Sequence, residues 1–173
     1  HVHLRRQRQM CIRDSHSLFS DGALTPNALI ALAAERGVQQ LAITDHDTTL
    51  AYSRQLADHA RAATITLISG CELSCVWQRR GIHIVGLNMD IAHPVFVRAM
   101  VEQAKARDRR AEKIIQALQR LGFSVSQEQI QAIAGQSVVG RPHFAEHLVR
   151  TKQMPSIAAA FKRALGACLL YTS

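Results

Sequence analysis

A chain of 173 residues, 47% hydrophobic and 20% charged, suits a single globular domain with a sizeable core and excludes a disordered or fibrous composition. No apolar run reaches the ~18 residues a membrane span needs, and no apolar stretch with a small-residue cleavage site follows the basic start, so the cytoplasm is the default. A formal net charge of +8 favours anionic partners such as phosphates and nucleic acids, although a solvated basic surface accounts for it equally well.

In chain order, residues 1–15 (HVHLRRQRQMCIRDS) show neither helix nor strand period, and the last residues, ACLLYTS, end without a cap. Both ends read as translated sequencing-adapter sequence of the kind found on metagenomic fragments. The expected domain bounds are 1–15 and 167–173 as artefactual tails, 16–94 as the α/β part that carries the motifs and 95–166 as a helical insertion or appended subdomain. Residues 1–15 contribute a net +3, leaving +5 for the remainder. Of the four cysteines, Cys71 and Cys75 then remain, which argues against a disulfide framework and for a reducing compartment.

Thr25-Pro26 predicts a helix start, with Leu29, Ile30, Leu32 and Ala33 as its buried face and Gly37 as its stop. Val38 to Thr44 predicts a strand, Thr49 to Ala62 a second helix, and Ile65 to Ser69 a second strand. That alternation argues for parallel α/β architecture. Leu73–Trp77 and Ile82–Asn88 predict a strand pair turning through Gln78-Arg79-Arg80-Gly81. Beyond His93-Pro94 strand signals vanish: a long basic helix over 95–121 and further helices over 126–134, 142–150 and 155–165 are expected.

Four motifs carry the chemistry: His16-Ser-Leu-Phe-Ser-Asp21-Gly22, Thr44-Asp45-His46-Asp47-Thr48, Gly70-Cys71-Glu72 and His83-Ile-Val-Gly86. Asp45, His46 and Glu72 follow the ends of two apolar strands, the edge at which α/β proteins build their sites. Imidazoles and carboxylates converging there suit Zn, Mn or Fe, which would activate a water and neutralise phosphate oxygens with no nucleophilic side chain. Each residue alone has an ordinary structural reading: His16 at the surface, SDG as a turn, Glu72 as a cap or ion pair, His83 as a core histidine. Three ionisable residues directly after a buried strand are the hardest to explain that way, because burial is costly unless something pairs with them.

The order SHS…SDG.LTP, LAITDHDT, G.E.S..W and IHIVGLN resembles the PHP (polymerase and histidinol phosphatase) domain. Within it the similarity is to bacterial 3′,5′-nucleoside bisphosphate phosphatases, also described as RNase AM or 5′-3′ exoribonucleases, and it extends over nearly all of 16–166. The resemblance implies the N-terminal part of a distorted seven-stranded β/α barrel with up to three divalent metals, Mn2+ first, with Zn2+ or Fe2+ as alternatives. It implies His16, Asp21, His46, Glu72 and His83 as metal ligands, Asp45 as a supporting acid, and Arg141 and His143 of the GRPHF segment as substrate-binding. The expected substrate is a nucleotide or short RNA, with no membrane and no obligate protein partner. The family's first motif ends in H-x-H; here Asp14 stands where the first histidine belongs, and no later A-H-P-G-R segment or D-x-H pair is found. A truncated, weakly stable chain that is inactive by itself is the corresponding expectation. The alternatives are a noncatalytic metal-binding PHP module of a larger protein and a histidinol-phosphatase-like enzyme.

Overall fold

The computed structural model describes residues 11, 12, 15–78 and 80–166, and the chain divides into two compact units, His1–His93 and Pro94–Ser173. Asp14, most of the 1–15 segment and the 167–173 segment lie outside the described residues.

The first unit is α/β. Its elements are β1 (Cys11–Ile12), α1 (Pro26–Glu35), β2 (Gln40–Ala42), α2 (Arg54–Ala62), β3 (Thr66–Ile68), β4 (Gly70–Trp77) and β5 (Arg80–Leu87). β1, β2 and β3 form a parallel sheet in that order, with Ile12 opposite Leu41 and Leu41 opposite Leu67. No strand period is legible in residues 1–15, yet Cys11–Ile12 pairs as β1. A parallel ladder is made by backbone groups and needs no side-chain pattern in so short a segment.

Helix α1 begins where the sequence signals it. Thr25 Oγ1 accepts the Ala28 N–H at 3.2 Å, Pro26 takes the first helical position, and Gly37 leaves the helix at φ 69°. Its buried face is Ile30 and Ala33, whereas Leu32 is 38% exposed, against the expectation that it faces the core. Leu32 lies ~200° around the helix from Ile30, too far to share one face. Helix α2 starts at Arg54 rather than Thr49. Ser53 Oγ caps it by accepting from Leu56 N–H at 3.1 Å, while Tyr52 N–H closes a turn on the Thr49 carbonyl at 3.0 Å. Val38, Leu41 and Ile43 join Ile30, Ala33, Leu56, Ala60 and Ile65 in one apolar core.

Strands β4 and β5 form an antiparallel hairpin, from Gly70 opposite Leu87 to Trp77 opposite Arg80. The turn is shorter than the sequence suggests: Gly81 pairs with Val76 inside the ladder, and Gln78 takes the positive φ, 47°, that a two-residue hairpin loop favours. Gly70 is required at the root of the hairpin. A Cβ there would lie 2.9 Å from Thr44 Cγ2 and 3.1 Å from the Ile43 carbonyl, so only glycine lets β4 cross the end of β2 so closely.

The second unit is helical: α3 (Pro94–Arg120), α4 (Gln127–Ala134), α5 (Arg141–Arg150) and α6 (Ile157–Arg163). Gly122 at φ 85° follows the end of α3, a Ser126–Gln129 capping box opens α4, and Ser156 caps α6. Ile114 and Leu118 of α3 pack with Ile130, Phe144, Leu148, Ala160 and Leu165 into a separate core. Inside that unit the His147 imidazole is buried and its Nε2 lies 2.9 Å from the Ser124 carbonyl, which satisfies a polar ring that would otherwise be costly to bury. Among the described residues no helix is long and apolar enough to cross a membrane.

Candidate metal centre

The first unit's strand ends deliver the polar groups. Ser15 pairs with Thr44, two residues beyond the end of β2: the Ser15 carbonyl accepts Thr44 N–H at 2.7 Å, and Thr44 Oγ1 accepts Ser15 N–H at 3.2 Å. That pairing sets His16 alongside the Asp45-His46 step. The chain then folds back in a tight turn, with Ser20 N–H and Gly22 N–H both donating to the Ser17 carbonyl at 3.0 Å. Gly22 sits so close to the His16 backbone that a Cβ would collide with the His16 carbonyl, which is why the motif reads SDG.

Asp45 is the post around which this turn is wound. It is 1% exposed, and three donors reach its carboxylate at 2.6 Å: Ser17 N–H and Ser20 Oγ on Oδ1, and Ser17 Oγ on Oδ2. A buried carboxylate is expensive to desolvate, and three short bonds offset that cost. Both oxygens are engaged by the loop that carries His16 and Asp21, so Asp45 organises that loop.

The next residues reach across to the hairpin. His46 pairs with Glu72 as an isolated parallel bridge, with Glu72 N–H on the Asp45 carbonyl at 3.2 Å and Asp47 N–H on the Glu72 carbonyl at 2.9 Å. Asp47, buried and at φ 53°, accepts the Ser74 N–H on Oδ1 at 2.6 Å, which locks β4 in this register. Tyr52 adds a second fastening from below. Its hydroxyl accepts Ile43 N–H at 2.9 Å and lies 2.7 and 2.8 Å from the carbonyls of Ile43 and Ile68, bridging β2 and β3. Burial pushes the phenol up from 10.0 to about 12. Burial likewise raises the Cys71 thiol from 9.0 to about 11, so this free cysteine is an inert part of the core.

On this scaffold five side chains meet. Glu72 Oε2 lies 3.2 Å from His16 Nε2 and 3.5 Å from His46 Nδ1, while Glu72 Oε1 lies 2.6 Å from His83 Nδ1. Asp21 closes the other side, 3.3 Å from His16 Nδ1 and 3.6 Å from His46 Nε2. The rings are nearly in contact: centroids are 4.7 Å apart for His16 and His46, and 4.8 Å for His46 and His83. Ligand atoms of His16, His46 and Glu72 all fall within 4.8 Å of one another. The cluster is partly open to solvent, with Glu72 at 12% and His83 at 49% side-chain exposure. Convergent imidazole nitrogens and carboxylate oxygens at this spacing fit a divalent transition metal better than Ca2+ or Mg2+, which prefer oxygen donors throughout.

Arg141 and His143 belong to the second unit, in the first turn of α5. Arg141 is exposed, and His143 Nδ1 accepts the Gly140 N–H at 3.0 Å, giving this imidazole a capping position at the helix start. Residues that the sequence reading left unassigned are Ser17, Ser20, Asp47 and Tyr52. The serines of SHSLFS were a usable signal, because a buried acid after a strand requires donors nearby. Asp47 was visible as the second acid of TDHDT. Tyr52 carried no signal, since its partners are backbone groups of two other elements.

Comparison with known proteins follows the same line. The PHP domain family model matches residues 14–165. The 5′-3′ exoribonuclease Rnm of Escherichia coli is 41% identical over 153 residues, covering 88% of this chain and 52% of that protein. A 3′,5′-nucleoside bisphosphate phosphatase of Chromobacterium violaceum is 34% identical over 151 residues, covering 87% of this chain and 53% of the other. The chain thus spans about half the length of the curated relatives it matches. Among solved structures, a protein from Bifidobacterium adolescentis described as a metal-dependent phosphoesterase superposes with TM-score 0.81 at 26% identity, over 92% of this chain and 56% of that one. An amidohydrolase from Chromobacterium violaceum, solved with sulfate and no metal, gives TM-score 0.81 at 31% identity over 94% and 58% of the two chains. With strand-end histidines and acids gathered as described and a family match across most of its length, this chain belongs to the PHP domain family.

Proposed function

We propose that the chain carries the metal-binding part of a phosphoesterase acting on nucleotide phosphates, removing the 3′-phosphate of 3′,5′-nucleoside bisphosphates, trimming RNA from its 5′ end, or both. The observation that carries this reading is the convergence of His16, His46 and Glu72, with Asp21 and His83 on either side. The names of the Escherichia coli and Chromobacterium violaceum relatives support the substrate class. The parallel sheet β1-β2-β3 and the β4-β5 hairpin are read as strands of a distorted seven-stranded barrel.

In this reading His16, Asp21, His46, Glu72 and His83 hold the metal, with Mn2+ first and Zn2+ or Fe2+ suited to the same donors. A bound divalent ion supplies Lewis acidity, which lowers the pKa of water and neutralises phosphate charge. The chain's own contribution is placement. Glu72 presents one oxygen to His83 and the other to His16 and His46, so a single carboxylate orients three imidazoles. Asp45 keeps the His16–Asp21 loop wound, and Asp47 keeps Glu72 in register. Arg141 offers a planar guanidinium suited to a phosphate, with His143 supporting the helix start beside it.

The test is release of inorganic phosphate from a nucleoside 3′,5′-bisphosphate with Mn2+, measured on a full-length relative and on its counterpart of the His46→Ala variant. The variant and a chelator should each abolish turnover; undiminished hydrolysis by the variant refutes the role of His46. Metal uptake without phosphate release would mark a noncatalytic metal-binding module instead. The 173-residue chain itself is expected to turn over far more slowly than the full-length relative.

A further inference from the structure

The unit Pro94–Ser173 holds 12 of the 21 Lys/Arg residues and 5 of the 13 Asp/Glu residues, so +7 of the net +8 resides there. Much of that charge is ordered along one line. Arg98, Lys105, Arg109, Lys113 and Arg120 follow one another on α3 at intervals of 7, 4, 4 and 7 residues. At 100° per residue these five positions fall within an arc of about 80° and, at 1.5 Å per residue, extend over about 33 Å. All five are exposed. The residues by which α3 packs, Ile114 and Leu118, lie on the opposite side of the helix. Glu102 is the one acid inside the arc; it is paired with Lys105 at 2.8 Å, and its carboxyl is held below the usual range by Lys105 and, more weakly, by Arg109.

We infer that this stripe is a docking track for the phosphate backbone of single-stranded nucleic acid. Charge complementarity is the argument. A solvated helix usually mixes signs around its circumference, whereas here five cations occupy one narrow exposed line long enough for several phosphates. A linear polyanion fits a narrow line of charge better than a broad membrane surface does; Ile114 and Leu118 of α3 are committed to the helical core, and the apolar residues of α3 left exposed, Val95, Val97 and Val101, sit towards its N-terminal end. No aromatic residue lies among the five cations, so bases would not stack on the track and binding would be independent of sequence. The choice of RNA as occupant rests on the nucleotide-phosphate reading above; the track itself does not.

The experiment is fluorescence anisotropy of a labelled 12-mer of oligouridylate over a range of salt concentrations, with a chelator present so that the probe is not hydrolysed. For single strands the slope of log affinity against log salt is about −0.7 per phosphate contacted, so the intact chain should give up to about −3.5. The triple variant Lys105→Gln/Arg109→Gln/Lys113→Gln should bind at least tenfold more weakly at low salt and lose about 2 units of that slope. Should the triple variant not fold, Arg98→Gln/Arg120→Gln should lose about 1.4 units. Arg150→Gln/Lys162→Gln, which removes as much charge as the Arg98/Arg120 double variant but away from the stripe, should lose far less than either stripe variant. Equal affinity and slope in stripe and control variants would overturn the inference. So would a 12-mer bound no better than a mononucleotide bisphosphate, or binding to phosphatidylserine vesicles in place of RNA. Because the assay is run without metal, its failure leaves the phosphatase test standing, and failure of that test leaves this one readable.

Discussion

Glu72 and His83 are diagonal neighbours on one face of the β4-β5 hairpin, two residues out of direct register, and their side chains meet at 2.6 Å. Ser74 is the residue directly opposite His83, so Glu72 reaches along its own strand to the imidazole. The contact exists because the pleat sends Glu72, Ser74 and His83 to the same side; a slip of one residue would place Glu72 and His83 on opposite faces.

Glu72→Gln should therefore damage the metal centre more than its small change in shape suggests. The substitution removes the charge that faces His16, His46 and His83 together. Mn2+ affinity measured by equilibrium dialysis should fall at least about tenfold, with the folded circular-dichroism spectrum retained. Unchanged affinity would remove Glu72 from the ligand set.

Asp45→Ala leaves Ser17 N–H and the Ser17 and Ser20 hydroxyls without the acceptor they share. The expected loss of stability in urea unfolding is about 2–4 kcal/mol, because the bonds to a charged acceptor are lost and buried donors are left unsatisfied. Ser20→Ala, which removes one donor, should cost about 1–2 kcal/mol. A near-zero effect for Asp45→Ala would show that the turn holds itself.

Tyr52→Phe should cost about 1–3 kcal/mol, since the Ile43 and Ile68 backbones lose their bridging hydroxyl. The same residue makes stability fall at alkaline pH. Its phenol titrates near 10.0 when unfolded and near 12 when folded, so its contribution is complete below pH 10 and is lost as pH rises towards 12. Cys71 acts in the same direction from pH 9 towards 11. The urea midpoint of the Phe variant should decline less steeply between pH 10 and 12 than that of the parent; parallel curves would contradict the assignment.

Gly70→Ala tests the crossing of β4 over β2. The added methyl would meet Thr44 Cγ2 at 2.9 Å and the Ile43 carbonyl at 3.1 Å, and the backbone carbonyl cannot swing aside. A loss of about 1–3 kcal/mol is expected, together with weaker Mn2+ binding, because any shift at residue 70 moves Glu72. Parent-like stability and metal affinity would show that the crossing has slack.

Several features were legible because their causes are local. Thr25-Pro26 and Gly37, Ser126 with Gln129, and Gly122 mark helix ends through bonds and dihedrals confined to a few residues. The placement of Asp45, His46 and Glu72 after apolar strands, and the family resemblance of the four motifs, were likewise present in the linear order. Other features depend on what lies across a gap in the chain. Leu32 faces outward because of where α1 packs, and Gly81 entered the ladder because Gln78 took the turn. Asp45 is a buried acceptor because Ser17 and Ser20, more than 20 residues earlier, wrap around it.

Residue types and their positions at strand ends were thus determined by the sequence alone, as were the helix boundaries set by caps and glycines. Which acids join the histidine cluster and which brace the loop was decided by the tertiary structure. Hairpin register and the winding of the 17–22 turn set distances between residues far apart in the chain, and no short-range propensity encodes those distances.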